Sequence, residues 1–468
     1  MRGFGVRARF KATSPIADGK VMVQGGDARR LRVGRLLPLV GLVLIALAFS
    51  WSHWAATPRW TLDSLFYEAQ SLELTGTPAA TARQQVFFGP LGKASADTSG
   101  RLDNRAWVDY VTPLYRRRWV VPGMAAALRP VFGTRALELV SLLGYVLSGL
   151  LAYALARRRF STAASFAAGA FVLWFPPLRM WAGYPLTDSM GVAAMALAFA
   201  AGAWALSGRS SRLLLWAGSV LLLAFTRDTA IVAVAGAVWL AIATRSRRAV
   251  ALALTGIAAA APAPLLFGAQ LRLIMAYVFS NDRIPADASW HYVLHEYGTF
   301  TRLMIKSDFP FRSSLAVTAL LLAVVALLAL RPSAPSLVYR FRQPALLVLL
   351  SFLGVVALFV APLQLASWPD PLPFGILLVA ALLPLFLPAG GDEFITLLRG
   401  GAVGAIGYLL LLPQPSDLRL PLVMLPFAAM GVARAFTLVP GRGPLPETPE
   451  VVPGAVAGHH LAYVSRRS

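Results

Sequence analysis

Long apolar runs broken by short polar stretches organise this chain, and the length of the runs decides how they are read. The stretch "LLPLVGLVLIALAFSWSHW" (36–54) contains no Asp, Glu, Lys or Arg. A helix needs about 20 apolar residues to cross the hydrocarbon core of a bilayer, and roughly 17 is the lower limit. By that measure the pattern predicts about twelve spans. They fall near 36–54, 134–156, 161–177, 186–207, 213–226, 229–244, 249–276, 313–330, 344–363, 372–388, 400–412 and 421–439. The run "LLLWAGSVLLLAFTRDTAIVAVAGAVWLAIA" (213–243) is long enough for one helix. A break at Thr226-Arg227-Asp228 is preferred, because it keeps the basic loops on one side.

Those loops set the orientation. Arg157 to Arg159, then Arg209 and Arg212, then Arg245, Arg247 and Arg248, then Arg331, Arg340 and Arg342 occupy alternate connections. Short basic loops stay on the cytoplasmic side. Both termini are then inside, residues 55–133 and 277–312 form external loops, and "QLASWPDP" (364–371) lies outside. Residues 1–35 and 440–468 read as disordered cytoplasmic tails, and the first run as a retained signal anchor. The expected fold is an all-α, multi-pass integral membrane protein with a long first external loop.

Composition supports this. Of 468 residues, 57% are hydrophobic and only 14% charged, against about 25% charged in soluble domains. The net charge of +22 would point to nucleic acid in a soluble chain. Here the arginines sit between apolar runs, which indicates orientation and contact with membrane lipids instead. There is no cysteine, so disulfides and thiolate metal sites are excluded.

The candidate chemistry starts in "TPRWTLDSLFYEAQSLELTG" (57–76). With Thr61 as N-cap, a helix places Asp63, Tyr67 and Gln70 on one face. Leu62, Leu65, Phe66, Ala69 and Leu72 form the other, and Gly76 ends the helix. Such a helix would lie in the membrane interface. Asp63 has a bland reading too, as a first-turn acid favoured by the helix dipole. Four other stretches share its predicted side: "DYVTPLYRRRWVVPGMAAALRPVFG" (109–133), "GYPLTDSMG" (183–191), "FTRDTA" (225–230) and "PQPSDLRLPLVMLPFAAMG" (413–431). They supply Arg116, Arg117, Arg118, Asp188, Arg227 and Arg419. Each has a structural alternative: snorkelling for the three arginines, a helix N-terminal acid for Asp188, a solvated turn for Arg227 and Asp228, and an anchor for Arg419. Glu68, Asp103 and Asp109 are secondary acids. His291 and His295, four apart in "SWHYVLHEYG", lack a third ligand and read better as part of an amphipathic lid.

The pattern D-x3-Y-x-A-x2-L-x3-G from Asp63 to Gly76 resembles the first external loop of GT-C glycosyltransferases. Y-R-R-R-W-x2-P (115–122), Thr187-Asp188, the T-R turn at 226–227 and R-x-P-L (419–422) are similar to other short motifs of that group. The resemblance implies inverting transfer of a sugar from a polyprenyl-phosphate donor to a lipid, glycan or protein acceptor on the outer face of a membrane, such as the bacterial plasma membrane. It also implies that Asp63 acts as general base, or helps hold the acceptor or a metal. It leaves a divalent cation, Mg or Mn, open as cofactor. Many members pair two acids side by side; Leu62-Asp63-Ser64 carries one, which weakens the case for a metal. Arginine suits the leaving phosphate, because its planar fork binds two oxygens. A transporter or flippase, with Pro262 and Pro264 as its best support, is the main rival. A polymerase or ligase would carry its largest loop late in the chain. A family member without catalysis is a further alternative.

Overall fold

The structure is a computed structural model of the whole chain. It describes residues 25–56, 59–95, 100–208, 210–280, 283–285, 287–307, 371–387, 392–411 and 419–438. The expected spans at 313–330 and 344–363, and the tails at 1–24 and 440–468, lie outside these residues. Two compact units are distinguished, Met1–Gly41 and Leu42–Ser468. The first contains the opening turns of a helix that starts at Gly25.

The described residues are helical, without a strand among them. Helix α1 (Gly25–Ala55) begins eleven residues before the expected Leu36. The segment after it folds as α2 (Leu62–Leu74), α3 (Ala79–Phe87), the single turn α4 (Pro90–Lys93), α5 (Arg105–Tyr115) and α6 (Val120–Phe132). There follow α7 (Ala136–Ala156), α8 (Thr162–Trp174), the short α9 (Pro176–Ala182), α10 (Asp188–Leu206), α11 (Arg212–Thr226), α12 (Ala230–Thr244), α13 (Arg247–Ala260), α14 (Pro262–Phe279) and α15 (Trp290–Ser307). The last described helices are α16 (Pro371–Phe386), α17 (Glu393–Leu411) and α18 (Leu425–Leu438), the last preceded by a 3-10 turn, Leu420–Met424.

Local chemistry sets these boundaries. Ser161 accepts from the Ala164 amide and opens α8, which stops before Pro176. Asp392 accepts from the amides of Phe394 and Ile395, so α17 starts seven residues before the expected 400. The 213–243 run breaks, as alternation demands: Arg227 is extended and α12 restarts at Ala230.

Three stretches are long and apolar enough to cross a membrane: Val120–Ala156, Asp188–Leu206 and Arg247–Phe267. Shorter apolar helices accompany them, including Leu36–Ser52, Thr162–Trp174, Arg212–Thr226 and Ala230–Thr244. Large aliphatic side chains face outward on several of them: Leu44, Leu47, Leu214, Ile242, Leu254 and Leu265 are all more than half exposed. In water that surface would favour aggregation; against lipid tails it is the expected exterior.

Glycines let the inner helices approach closely. A Cβ on Gly144 of α7 would sit 2.5 Å from the Met190 backbone nitrogen of α10. This contact fixes the start of α10, and with it Asp188, against α7. The segment α2–α6 packs on itself. It has its own core of Trp60, Phe66, Phe87, Trp107, Val111 and Val121, continuous with Leu137, Leu186 and Met190 of the bundle. Phe66 stacks on Tyr115 at 4.5 Å between centroids and meets Phe87 at 4.8 Å. That packing aims the polar face of α2 at the helix ends beneath it.

Candidate functional site

The site grows from the first turn of α2. Thr61 and Ser64 form a reciprocal cap, each side chain accepting from the other's amide at 3.3 Å, which anchors the helix start. Gly76, at φ +95°, follows the C-cap in the left-handed region that glycine tolerates. Asp63 therefore sits one residue into a fixed helix. Its Oδ1 accepts from the Tyr115 hydroxyl at 2.6 Å and its Oδ2 from Arg419 Nη1 at 2.5 Å. One turn on, Tyr67 is fully buried. Its hydroxyl accepts from Arg118 Nη1 at 2.7 Å and lies 3.3 Å from Thr187 Oγ1. Gln70, the third member of the predicted face, turns away and donates to the Arg116 carbonyl at 3.1 Å.

The arginines and acids beneath interlock. Asp188, at the start of α10, accepts from Arg227 and from Arg419, whose Nε is 3.2 Å from both carboxylate oxygens. Asp228 accepts from Arg117 and, at 2.8 Å, from Arg118. Arg227 and Asp228 do not pair with each other, as adjacent residues would not on a helix. The break between α11 and α12 instead sends them to different partners. The solvated-turn reading of this pair is overturned, because Arg227 is only 8% exposed. Gly191 leaves room for the Arg227 side chain: a Cβ there would lie 3.0 Å from its Cδ.

Five segments distant in sequence thus bring four guanidiniums against three carboxylates, an excess of one positive charge among the described residues. Each buried acid has its counter-charge, without which burial would cost several kcal/mol. The guanidiniums are not all satisfied. Nε and Nη1 of Arg117 and Nε of Arg118 are buried without a hydrogen-bond partner among the described residues. Beside Arg227 and Arg419 opens a small cleft of about 20 Å³. Asp188, Arg227, Arg419 and Tyr408 line it together with Val192 and Met195. It offers cations beside an apolar wall.

The other candidates lie elsewhere. Glu68 is buried on the far side of α2, in an ion pair with Arg129 at 2.5 Å. Asp109 pairs with Arg83 at the surface. Asp103 is exposed in the 3-10 turn Arg101–Asp103. Arg116 parts from its two neighbours and lies 3.6 Å from Glu73 with its side chain half exposed. His291 and His295 are exposed on α15. Tyr115 and Tyr408 were not foreseen. Tyr115 had a signal, as the residue immediately before the arginine run; Tyr408, inside an apolar helix, had none.

The electrostatics follow from the partners. Burial works against the Asp63 charge, but Arg419, the Tyr115 hydroxyl and Arg118 outweigh it and hold the carboxyl below the usual range. Burial likewise opposes the Asp228 charge, and Arg117 and Arg118 override it. Burial, with Asp63 next to it, pushes the Tyr115 phenol well up, so it remains a donor. At Glu68 burial outweighs Arg129 and raises the carboxyl. Lowered carboxyls contribute stability that is fully present above their unfolded pKa, about 4, and lost as pH falls through the folded value. Glu68 acts in the opposite sense. The melting temperature should therefore fall steeply below about pH 4, and Asp228→Asn should flatten that acid limb. A limb unchanged in the variant would contradict the pairing.

The donor set does not fit a divalent cation. Asp63, Asp188 and Asp228 are each faced by guanidinium groups, and no cluster of three or more His, Asp or Glu exists among the described residues. No protein-family model matches the chain, and no curated protein matches it.

Proposed function

We propose that this protein is an inverting glycosyltransferase of GT-C type, taking sugar from a polyprenyl-phosphate donor on the outer face of a bacterial plasma membrane. In this reading the chain crosses the bilayer about twelve times, with both termini in the cytoplasm. One observation carries it: a single acid of the first loop stands beside a buried guanidinium excess at a cleft with an apolar wall. A lipid phosphate carries negative charge on an apolar tail, and the cleft offers a match for both. Arginine forks bind phosphate oxygens in pairs.

The chemistry is balanced as follows. The acceptor hydroxyl oxygen bonds to the anomeric carbon from the face opposite the phosphate. The bond from that carbon to the phosphate oxygen breaks, and its electron pair leaves on the phosphate. The hydroxyl proton passes to Asp63. Arg227 and Arg419 take up the charge that grows on the leaving group, which is where fixed cations lower a barrier most. Tyr115 orients the base. The acceptor is a hydroxyl-bearing lipid, glycan or protein.

The transporter reading has one structural feature in its favour, the kink at Phe267 inside α14, where the backbone leaves helical geometry. Broken helices in transporters line ion or substrate sites, but residues 256–267 contain no ionisable side chain. The test is reconstitution into liposomes with a panel of polyprenyl-phosphate-linked sugars. Time-dependent release of free polyprenyl phosphate is expected. Donor uptake without release, or binding without either, would contradict transfer.

A further inference from the structure

Asp63 is held differently from the other two buried acids. Asp188 is bracketed by Arg227 and Arg419, and Asp228 by Arg117 and Arg118. Asp63 contacts one guanidinium, that of Arg419, and shares it with Asp188. The sharing is uneven. Arg419 turns Nε and Nη2 to Asp188, at 3.2 and 3.1 Å, and Nη1 to Asp63. The guanidinium also rests 5.4 Å from the Trp181 ring centroid, and the same side chain lines the cleft. Asp188 keeps Arg227 whatever Arg419 does.

We infer that Arg419 changes partners: an incoming phosphate monoanion takes its Nη1 from Asp63 while Nε and Nη2 stay on Asp188, and Tyr115 keeps the released carboxylate aimed. The inference rests on the donor reading above and deepens it. Charge balance favours it. Among the described residues the cluster sets four guanidiniums against three carboxylates, and one bound negative charge balances that set, which a low-dielectric site favours. A phosphodiester-linked sugar carries that single charge. A guanidinium has five N–H donors in a rigid fork, so turning one pair to a new acceptor requires no unpairing of Asp188.

The consequence is an order of events. Without donor, Asp63 is a weak base, because Arg419 and Tyr115 stabilise its ionised form. With phosphate in place the cation is withdrawn, burial remains, and the carboxylate becomes more basic. The groups facing Asp63 are Arg419 from the turn before α18, Tyr115 at the end of α5, Arg118 just beyond it, Tyr67 from α2 itself and Asp188 across Arg419. Only the Arg419 contact is exchanged. Tyr115 is a positioning residue: it touches Asp63, not substrate. Donor bound first arms the base, which limits loss of activated sugar to chance nucleophiles.

The experiment uses the full-length protein in lipid nanodiscs. A membrane-soluble carbodiimide forms a stable adduct with a protonated carboxyl and not with a carboxylate, and peptide mass spectrometry reads Asp63 labelling against pH. Asp63→Asn assigns the signal. The probe is the methyl phosphodiester of a polyprenol, which carries the donor's single charge at every pH used, and whose binding is measured in parallel by co-purification. Without it, labelling of Asp63 should be negligible above about pH 5. With it, the midpoint should rise by about 1–3 pH units, the effect of removing a close opposite charge. Tyr115→Phe should raise the midpoint without probe and keep the probe-induced rise. If the probe binds and the midpoint stays, partner exchange is wrong and the donor reading stands. If the probe does not bind, both fall.

Discussion

Asp63→Asn should reduce sugar transfer by at least about 10²-fold, the lower end of what a positioned general base contributes, with near-normal expression and folding. The asparagine keeps the shape of the side chain: its amide oxygen can accept from Arg419 while its NH2 donates to the Tyr115 hydroxyl oxygen. It cannot take a proton. Loss of the Arg419 ion pair will cost some stability, but Asp63 is less buried than Asp188, its side chain 20% exposed against none. The informative comparison is Tyr115→Phe. It removes a hydroxyl and no base, so it should lower turnover less, leave donor KM unchanged, and shift the pH dependence of kcat. Full activity of Asp63→Asn would remove Asp63 from the chemistry altogether.

Asp188→Asn should have the largest effect on stability. Asp188 is the buried hub between Arg227 and Arg419. Its neutralisation leaves the guanidiniums of Arg227 and Arg419 facing each other across an uncharged amide. Breaking a buried pair by removing one partner costs about 3–5 kcal/mol, enough to unfold a protein of ordinary marginal stability. Thermal unfolding in detergent should show a drop far beyond that of Asp109→Asn. That control removes the exposed partner of Arg83, and exposed pairs are worth about 0–1 kcal/mol. Equal melting temperatures for the two variants would mean that the ion-pair cluster is not closed as described.

Local signals in the sequence were strong where the physics is local. Thr61 and Ser64 followed by a 3.6-residue apolar stripe specify α2, and its length, cap and glycine stop are as expected. The apolar runs marked the helices of the bundle, because burial against neighbours or lipid needs a continuous greasy segment. What the sequence could not show is which side chains meet across hundreds of residues. Asp63 and Arg419 are brought together by the packing of the first loop on α7 and α10. Asp188 looked like an ordinary helix-end acid, since a first-turn acid serves the helix dipole whether or not an arginine approaches, and Asp228 like part of a solvated turn. Glu68 sits in the same helix as Asp63 but takes Arg129, because the helical period turns it to the opposite side. Arg116 to Arg118 read as one cluster, and the turn after α5 splits them. Tyr408 gives no warning in a helix of glycines and leucines. Nor did the sequence show that the aromatic residues of α2, α3 and α5 find each other and build a core.

The most direct test of the central claim is photo-crosslinking of the full-length protein in nanodiscs with a polyprenyl-phosphate-linked sugar bearing a photoreactive group next to the phosphate. The account predicts adducts within residues 188–195 and 419–423, competed away by sugar-free polyprenyl phosphate and lost in Arg227→Ala. Adducts spread over the outward-facing leucines of α11 and α13, indifferent to competitor and to Arg227, would contradict it.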